Sequence, residues 1–217
     1  MFEHPLTGST SELPSRPLAL PNGLFSAEQL PDILAPLTAR LAALGTPAIV
    51  GIIGAASAGK TTLAKALVRG LQALGIDAVH VDGDAFTLPR HLRYIQHPGR
   101  RQTLIRGPDI YDHQRLLDHL LTLKQSHDVV IAESVAMGWH PATASALACL
   151  IGLHLDDAVR LSRKIVRDQH DPTRQFDLVA DFIEKQVDEV DGGVHPTFAR
   201  RADVVWDASA HVLHERK

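Results

Sequence analysis

The chain has 217 residues, 45% of them hydrophobic, and a formal net charge of -3 at pH 7. That is enough apolar material for a sizeable core, and it gives no general excess of positive charge for a nucleic-acid or membrane-surface binder. A single cysteine, Cys149, excludes an internal disulfide framework; the N-terminal residues lack a basic stretch followed by an apolar one, and the longest apolar run, around residues 48–56, is far short of a membrane span, so a cytoplasmic protein is expected.

Residues 1–25 carry Pro5, Pro14, Pro17 and Pro21 among Ser, Thr and Gly, which reads as an irregular N-terminal arm ahead of one domain over 26–217. Ser26, Glu28 and the apolar positions Leu30, Ile33, Leu34, Leu37, Leu41 and Leu44 predict a capped amphipathic helix that ends at Gly45 and covers the sheet. Residues 48–53 then read as a fully buried strand.

That strand breaks into Gly54-Ala55-Ala56-Ser57-Ala58-Gly59-Lys60-Thr61-Thr62, the G-x-x-x-x-G-K-T spacing of a phosphate-binding loop. Such a loop lets backbone N–H groups curl around the phosphates of ATP while Lys60 reaches the terminal ones and Thr61 holds Mg²⁺. Apolar residues at 63, 66, 67, 71 and 74 have a helical period, so the phosphates would sit on a helix N-terminus, where unpaired N–H groups and the dipole favour anions. Residues 54–62, together with Arg163 and Arg167, are the candidate ATP-binding set. Gly75 ends the helix and 78–82 gives a second strand.

Asp82-Gly83-Asp84-Ala85-Phe86 places two carboxylates at the carboxyl end of that strand, the edge where open α/β sheets bind ligands. Phosphoryl transfer to a hydroxyl needs a carboxylate to orient the acceptor and take its proton, and Asp84 is the candidate. From Arg90 to Arg106 the chain holds five arginines, two histidines and no acidic residue, which predicts a long exposed loop, either solvated or anion-binding. Residues 108–112 lead into a helix with Leu116, Leu117, Leu120, Leu121 and Leu123 near one face, and Asp109 or Asp112 can cap it. Residues 128–133 form a third apolar strand ending in Glu133, positioned to hold the Mg²⁺ of a nucleotide.

A fourth strand is expected over 147–155, with Asp156-Asp157 capping the helix after it. In that helix Arg160, Arg163, Lys164 and Arg167 fall on one face. Cations there either meet water or clamp the transferring phosphoryl group, and Arg174 could join them from beyond the break at 170–172. A helix over 176–190 and a fifth strand over 202–206 complete the reading. Together these elements predict an α/β phosphate-loop fold, a five-stranded, mostly parallel sheet with helices on both faces and right-handed crossovers.

With these residues placed, the chain resembles the uridine kinase and phosphoribulokinase group of phosphate-loop kinases over roughly residues 48–206. The landmarks are Gly54 to Thr62, Gly83-Asp84-Ala85-Phe86, Pro108-Asp109-Ile110-Tyr111-Asp112, the Glu133 strand end, the run from Arg160 to Asp168, and Pro196 before Ala202-Asp203. The resemblance implies that Asp84 activates the acceptor hydroxyl, that Glu133 is the acid on the Mg²⁺ side, and that Arg163, Arg167 and Arg174 are lid arginines. It puts Asp84, Arg106, Tyr111 and Arg174 on the substrate side and Asp84, Lys60, Arg163 and Arg167 at the chemistry. The chain departs from the group at Thr87, where uridine kinases continue with an aromatic residue, and at Arg106-Gly107, where they carry Asp-His. A cation thus stands where an acid would receive ribose hydroxyls, which points to an anionic acceptor rather than uridine.

The expected activity is therefore ATP- and Mg²⁺-dependent phosphorylation of a hydroxyl on a nucleoside-like or sugar-like small molecule, without nucleic acid or membrane as partner and compatible with a homo-oligomer. The competing readings are a nucleotide-dependent switch or accessory ATPase without an acceptor, and a nucleotide-binding protein without catalysis. The Asp84 element argues against both.

Overall fold

The computed structural model describes residues 30–89, 92, 94–95, 103–104, 107–156, 158–160, 162–163, 166, 201–210 and 212–215. The N-terminal arm, the helix expected over 176–190, and Arg106, Arg167 and Arg174 lie outside these residues.

Helix α1 (Leu30–Ala42) precedes β1 (Ala48–Gly54), α2 (Lys60–Ala73), β2 (Ala78–Asp82) and a 3₁₀ turn over Gly83–Phe86. A short pair, β3 (Tyr94–Ile95) and β4 (Thr103–Leu104), is followed by a second 3₁₀ turn over Gly107–Ile110, α3 (His113–Lys124), β5 (Val129–Ser134) and α4 (Pro141–Ala146). The order closes with β6 (Cys149–His154), β7 (Val204–Asp207) and β8 (Val212–Glu215).

The main sheet has six strands in the order β2-β5-β1-β6-β7-β8. All its pairings are parallel except β7 with β8. Five strands were expected; the sixth is the four-residue β8, Val-Leu-His-Glu, whose apolar content is too slight to announce a strand. The predicted loop over 90–106 also needs correction, because Tyr94 pairs with Leu104 and Ile95 with Thr103 in an antiparallel ladder.

Every residue of β1 is buried, as its unbroken apolar run requires of a central strand with both faces covered. Its side chains alternate between two cores. Val50 and Ile52 join Leu34, Leu37 and Leu41 of α1 and Leu63, Leu67 and Leu71 of α2 on one face. Ile49 and Ile53 join Leu116 and Leu120 of α3 on the other. Helix α2 ends as predicted: Gly75 adopts φ 79°, and Ile76 N–H reaches back to the Leu71 carbonyl at 3.1 Å. Of the apolar residues expected on its buried face, Leu74 is instead exposed beside this cap. No helix among the described residues is long and apolar enough to cross a membrane.

The strand order sets the site. β5 lies between β1 and β2, so the carboxyl ends of three parallel strands bring the phosphate loop, Glu133 and Asp82-Gly83-Asp84 to one edge. The Ile52↔Glu133 and Asp82↔Glu133 registers put Glu133 level with the last turns of both neighbours.

Candidate active site

The loop from Gly54 to Thr62 joins the end of β1 directly to α2. Ser57 adopts φ 63° and Gly59, at the start of α2, φ 101°; both lie in the left-handed region that bends a chain tightly. Lys60 is buried, and its ammonium donates to the Ala55 carbonyl at 3.1 Å. The Thr61 hydroxyl donates to Glu133 Oε1 at 2.6 Å, so the loop and the end of β5 meet directly.

Glu133 is 2% exposed. Burial pushes its carboxyl above the ordinary range; the Thr61 hydrogen bond and the Lys60 ammonium pull it down, while Asp82 and Asp84 push it further up. Oxygen donors from Thr61 and Glu133, with negative charge from Asp82 and Asp84 converging on them, fit a small hard divalent cation such as Mg²⁺. The described residues contain no group of three or more His, Cys, Asp or Glu able to hold a metal by themselves.

Gly83 is what brings Asp84 here. A Cβ on it would lie 2.7 Å from the Glu133 carbonyl and 2.8 Å from Ser134 Cβ, so only glycine lets the end of β2 close on β5. Asp82 then caps the turn, its Oδ1 accepting from Asp84 N–H at 2.9 Å. The Asp84 side chain is exposed toward the edge, and its Oδ1 accepts a hydrogen bond from the Tyr111 hydroxyl at 2.8 Å. Tyr111 is itself held by backbone pairing, since Thr87 and Tyr111 form an antiparallel bridge flanked by Leu88 N–H to Ile110 carbonyl at 2.7 Å and Asp112 N–H to Phe86 carbonyl at 2.8 Å. Of the two predicted caps for α3, Asp112 serves, accepting from Arg115 N–H at 3.0 Å.

Helical turns follow β6, capped by Asp156, which accepts from Ala158 N–H at 2.8 Å and Val159 N–H at 3.3 Å. Arg163 reaches the phosphate loop from there: its guanidinium lies 3.5 Å from where a Gly59 Cβ would stand. Burial lowers its pKa, and as an arginine it stays charged. Arg160, on the same predicted cationic stripe, is not in solvent. It is 2% exposed and donates to the Ala56 carbonyl at 3.3 Å.

The residues at 54–62, Asp84, Tyr111, Glu133 and Arg163 therefore come together at one edge, whereas Arg106, Arg167 and Arg174 lie outside the described residues. Three neighbours were given no specific role from the sequence, Arg160 being read only as part of a cationic stripe and Asp82 only as one of two carboxylates at the edge. Asp82 and Arg160 hold the backbone of the site, and His80, on β2, places Nε2 3.7 Å from Glu133 Oε1 with no hydrogen-bond partner for that nitrogen among the described residues. For Asp82 the available signal was a carboxylate just before a glycine at a strand end; a histidine within a five-residue strand gives no signal of what lies beside it.

Known proteins resemble this chain in sequence and in fold. The profile of the phosphoribulokinase / uridine kinase family matches residues 101–213. That stretch begins after both the phosphate loop and Asp84, so the match owes nothing to either. A uridine kinase of Brevibacillus brevis is 24% identical over 160 residues, covering 63% of this chain and 73% of that protein. Among solved structures, a possible uridine kinase from Bacillus stearothermophilus superposes with a TM-score of 0.50 and 20% identity, covering 82% of this chain and 98% of that one. A provisionally named fructose transport system kinase from Silicibacter superposes with a TM-score of 0.55, again at 20% identity over 82% of this chain and 98% of the other. At these identities the structural likenesses establish the fold.

Proposed function

The chain belongs to the phosphoribulokinase / uridine kinase family of kinases, and from that premise we propose that it transfers the γ-phosphoryl group of ATP, with Mg²⁺, to a hydroxyl of a nucleoside-like or sugar-like small molecule. The observation that carries this reading is the convergence on Glu133. Thr61 of the phosphate loop bonds to it at 2.6 Å, and Asp84 is near enough to raise its pKa. Phosphate cradle, metal-side acid and acceptor-side base are thus parts of one site.

In this reading the loop amides and Lys60 bind the triphosphate, and Thr61 and Glu133 hold Mg²⁺, which neutralises phosphate charge when bound. Asp84, with one oxygen engaged by Tyr111, has its other oxygen to orient the acceptor hydroxyl and take its proton. Arg163, beside Gly59, offers its charge to the migrating phosphoryl group. Arg167 and Arg174 join it, and Arg106 selects the acceptor. An anionic acceptor would gain a bidentate contact from Arg106 of roughly 1.5–3 kcal/mol.

The test is ADP release, measured with and without a panel of nucleosides, sugars and their phosphorylated or carboxylated counterparts. A small molecule is expected to stimulate release, Lys60→Ala to abolish it, and Asp84→Asn to abolish it while ATP affinity is largely kept. Equal loss of ATP binding in both variants would sink the division of roles, and stimulation by a protein but by no small molecule would favour a switch. Arg106→Ala is expected to raise KM for the acceptor and leave that for ATP.

A further inference from the structure

We infer that Arg160 is a positioning residue for the phosphate loop, fixing the direction of a loop amide through the carbonyl on the other side of the peptide plane. This deepens the nucleotide-binding reading above and rests on it. A guanidinium only 2% exposed has given up its hydration, which is costly unless polar groups replace water. Its place is therefore neither a solvated helix face nor the open edge that a nucleotide would fill. One of the groups it meets is the Ala56 carbonyl, at 3.3 Å.

The peptide unit is planar and trans, so the Ala56 carbonyl and the Ser57 N–H point in opposite directions. Holding the oxygen aims the hydrogen. Two successive peptides are set this way by cations from different elements. Lys60 takes the Ala55 carbonyl at 3.1 Å and thereby directs Ala56 N–H, while Arg160 takes the Ala56 carbonyl and directs Ser57 N–H. The peptide that Arg160 holds leads into Ser57, whose φ of 63° is costly for a residue with a Cβ and needs outside support. Its hydroxyl does not supply that support, since Ser57 Oγ is buried without a hydrogen-bond partner among the described residues. Arg163, three residues further on, reaches Gly59 of the same loop.

The experiment compares wild type with Arg160→Met and Arg160→Lys, using calorimetric binding of ADP with Mg²⁺ and hydrogen exchange of the nucleotide-free protein. For R160M we expect faster exchange confined to the peptide holding residues 54–62 and about tenfold weaker ADP binding, as for the loss of a hydrogen bond from a charged donor. R160K keeps a charged donor and should recover part of both. A folded R160M with wild-type exchange at the loop and wild-type ADP affinity would overturn the inference, as would exchange that rises evenly across the sheet. If R160M does not fold, R160K decides: loop exchange indistinguishable from wild type overturns the proposal, and a rise confined to the loop supports it. Failure of wild type itself to bind ADP would count against the nucleotide reading, and the exchange comparison would still judge Arg160.

Discussion

The Tyr111 hydroxyl donates to Asp84 Oδ1 at 2.8 Å, joining residues 27 positions apart in the chain. Tyr111 was expected on the substrate side together with Asp84, and its hydroxyl contacts the carboxylate proposed to activate the acceptor. Tyr111→Phe should therefore lower kcat by about tenfold, the scale of one hydrogen bond to a charged group, and leave KM for ATP unchanged. Steady-state kinetics with ATP varied at saturating acceptor checks this; a change confined to ATP KM would contradict it.

Glu133 should trade stability for function. Burial raises its folded-state pKa, so the folded chain binds this proton more tightly than the unfolded chain does. Its contribution to stability is then fully present below the ordinary glutamate range and is lost as pH rises through the raised value. Glu133→Gln removes the buried charge and should raise the melting temperature of the nucleotide-free protein at about pH 8, and by less at about pH 5. Turnover should fall by about a hundredfold or more, because the proposed metal-side acid is gone. Thermal melts at both pH values, paired with an assay, would expose the opposite sign.

Gly83→Ala tests the closure of β2 on β5. The new Cβ meets the Glu133 carbonyl at 2.7 Å, and backbone on that side cannot swing away. A loss of about 1–3 kcal/mol is expected from overpacking. The forced separation should also displace Asp84, so kcat should fall further than the loss of folded protein explains. Denaturant unfolding beside kcat per folded molecule distinguishes the two effects.

What was legible from sequence was chemistry whose parts are close together in the chain. The phosphate loop, the β2 end and the Glu133 strand end each state a strand, its limit and a reactive side chain within a few residues, and the parallel sheet then brings their ends together. Contacts between distant segments were not legible. The period that set Arg160 and Arg163 on one face says nothing about whether that face meets water or a carbonyl, and it met the Ala56 carbonyl. Elements too short for a period were also missed: α4, with its run Pro-Ala-Thr-Ala-Ser-Ala, the two-residue β3 and β4, and β8.

The bonds between residues 86–88 and 110–112 have an evolutionary corollary. They act as a clasp, so the chain leaves the Asp84 turn and returns to Tyr111 at one fixed gateway, whatever is strung between. Closing a longer or shorter excursion from a fixed gateway changes its entropy only logarithmically with length. Changes in the length of the stretch over 90–106 are therefore expected to leave the phosphate loop, Glu133 and Asp84 in place. On the proposed reading, in which Arg106 meets the acceptor, such a change would alter the choice of acceptor and keep the phosphate chemistry.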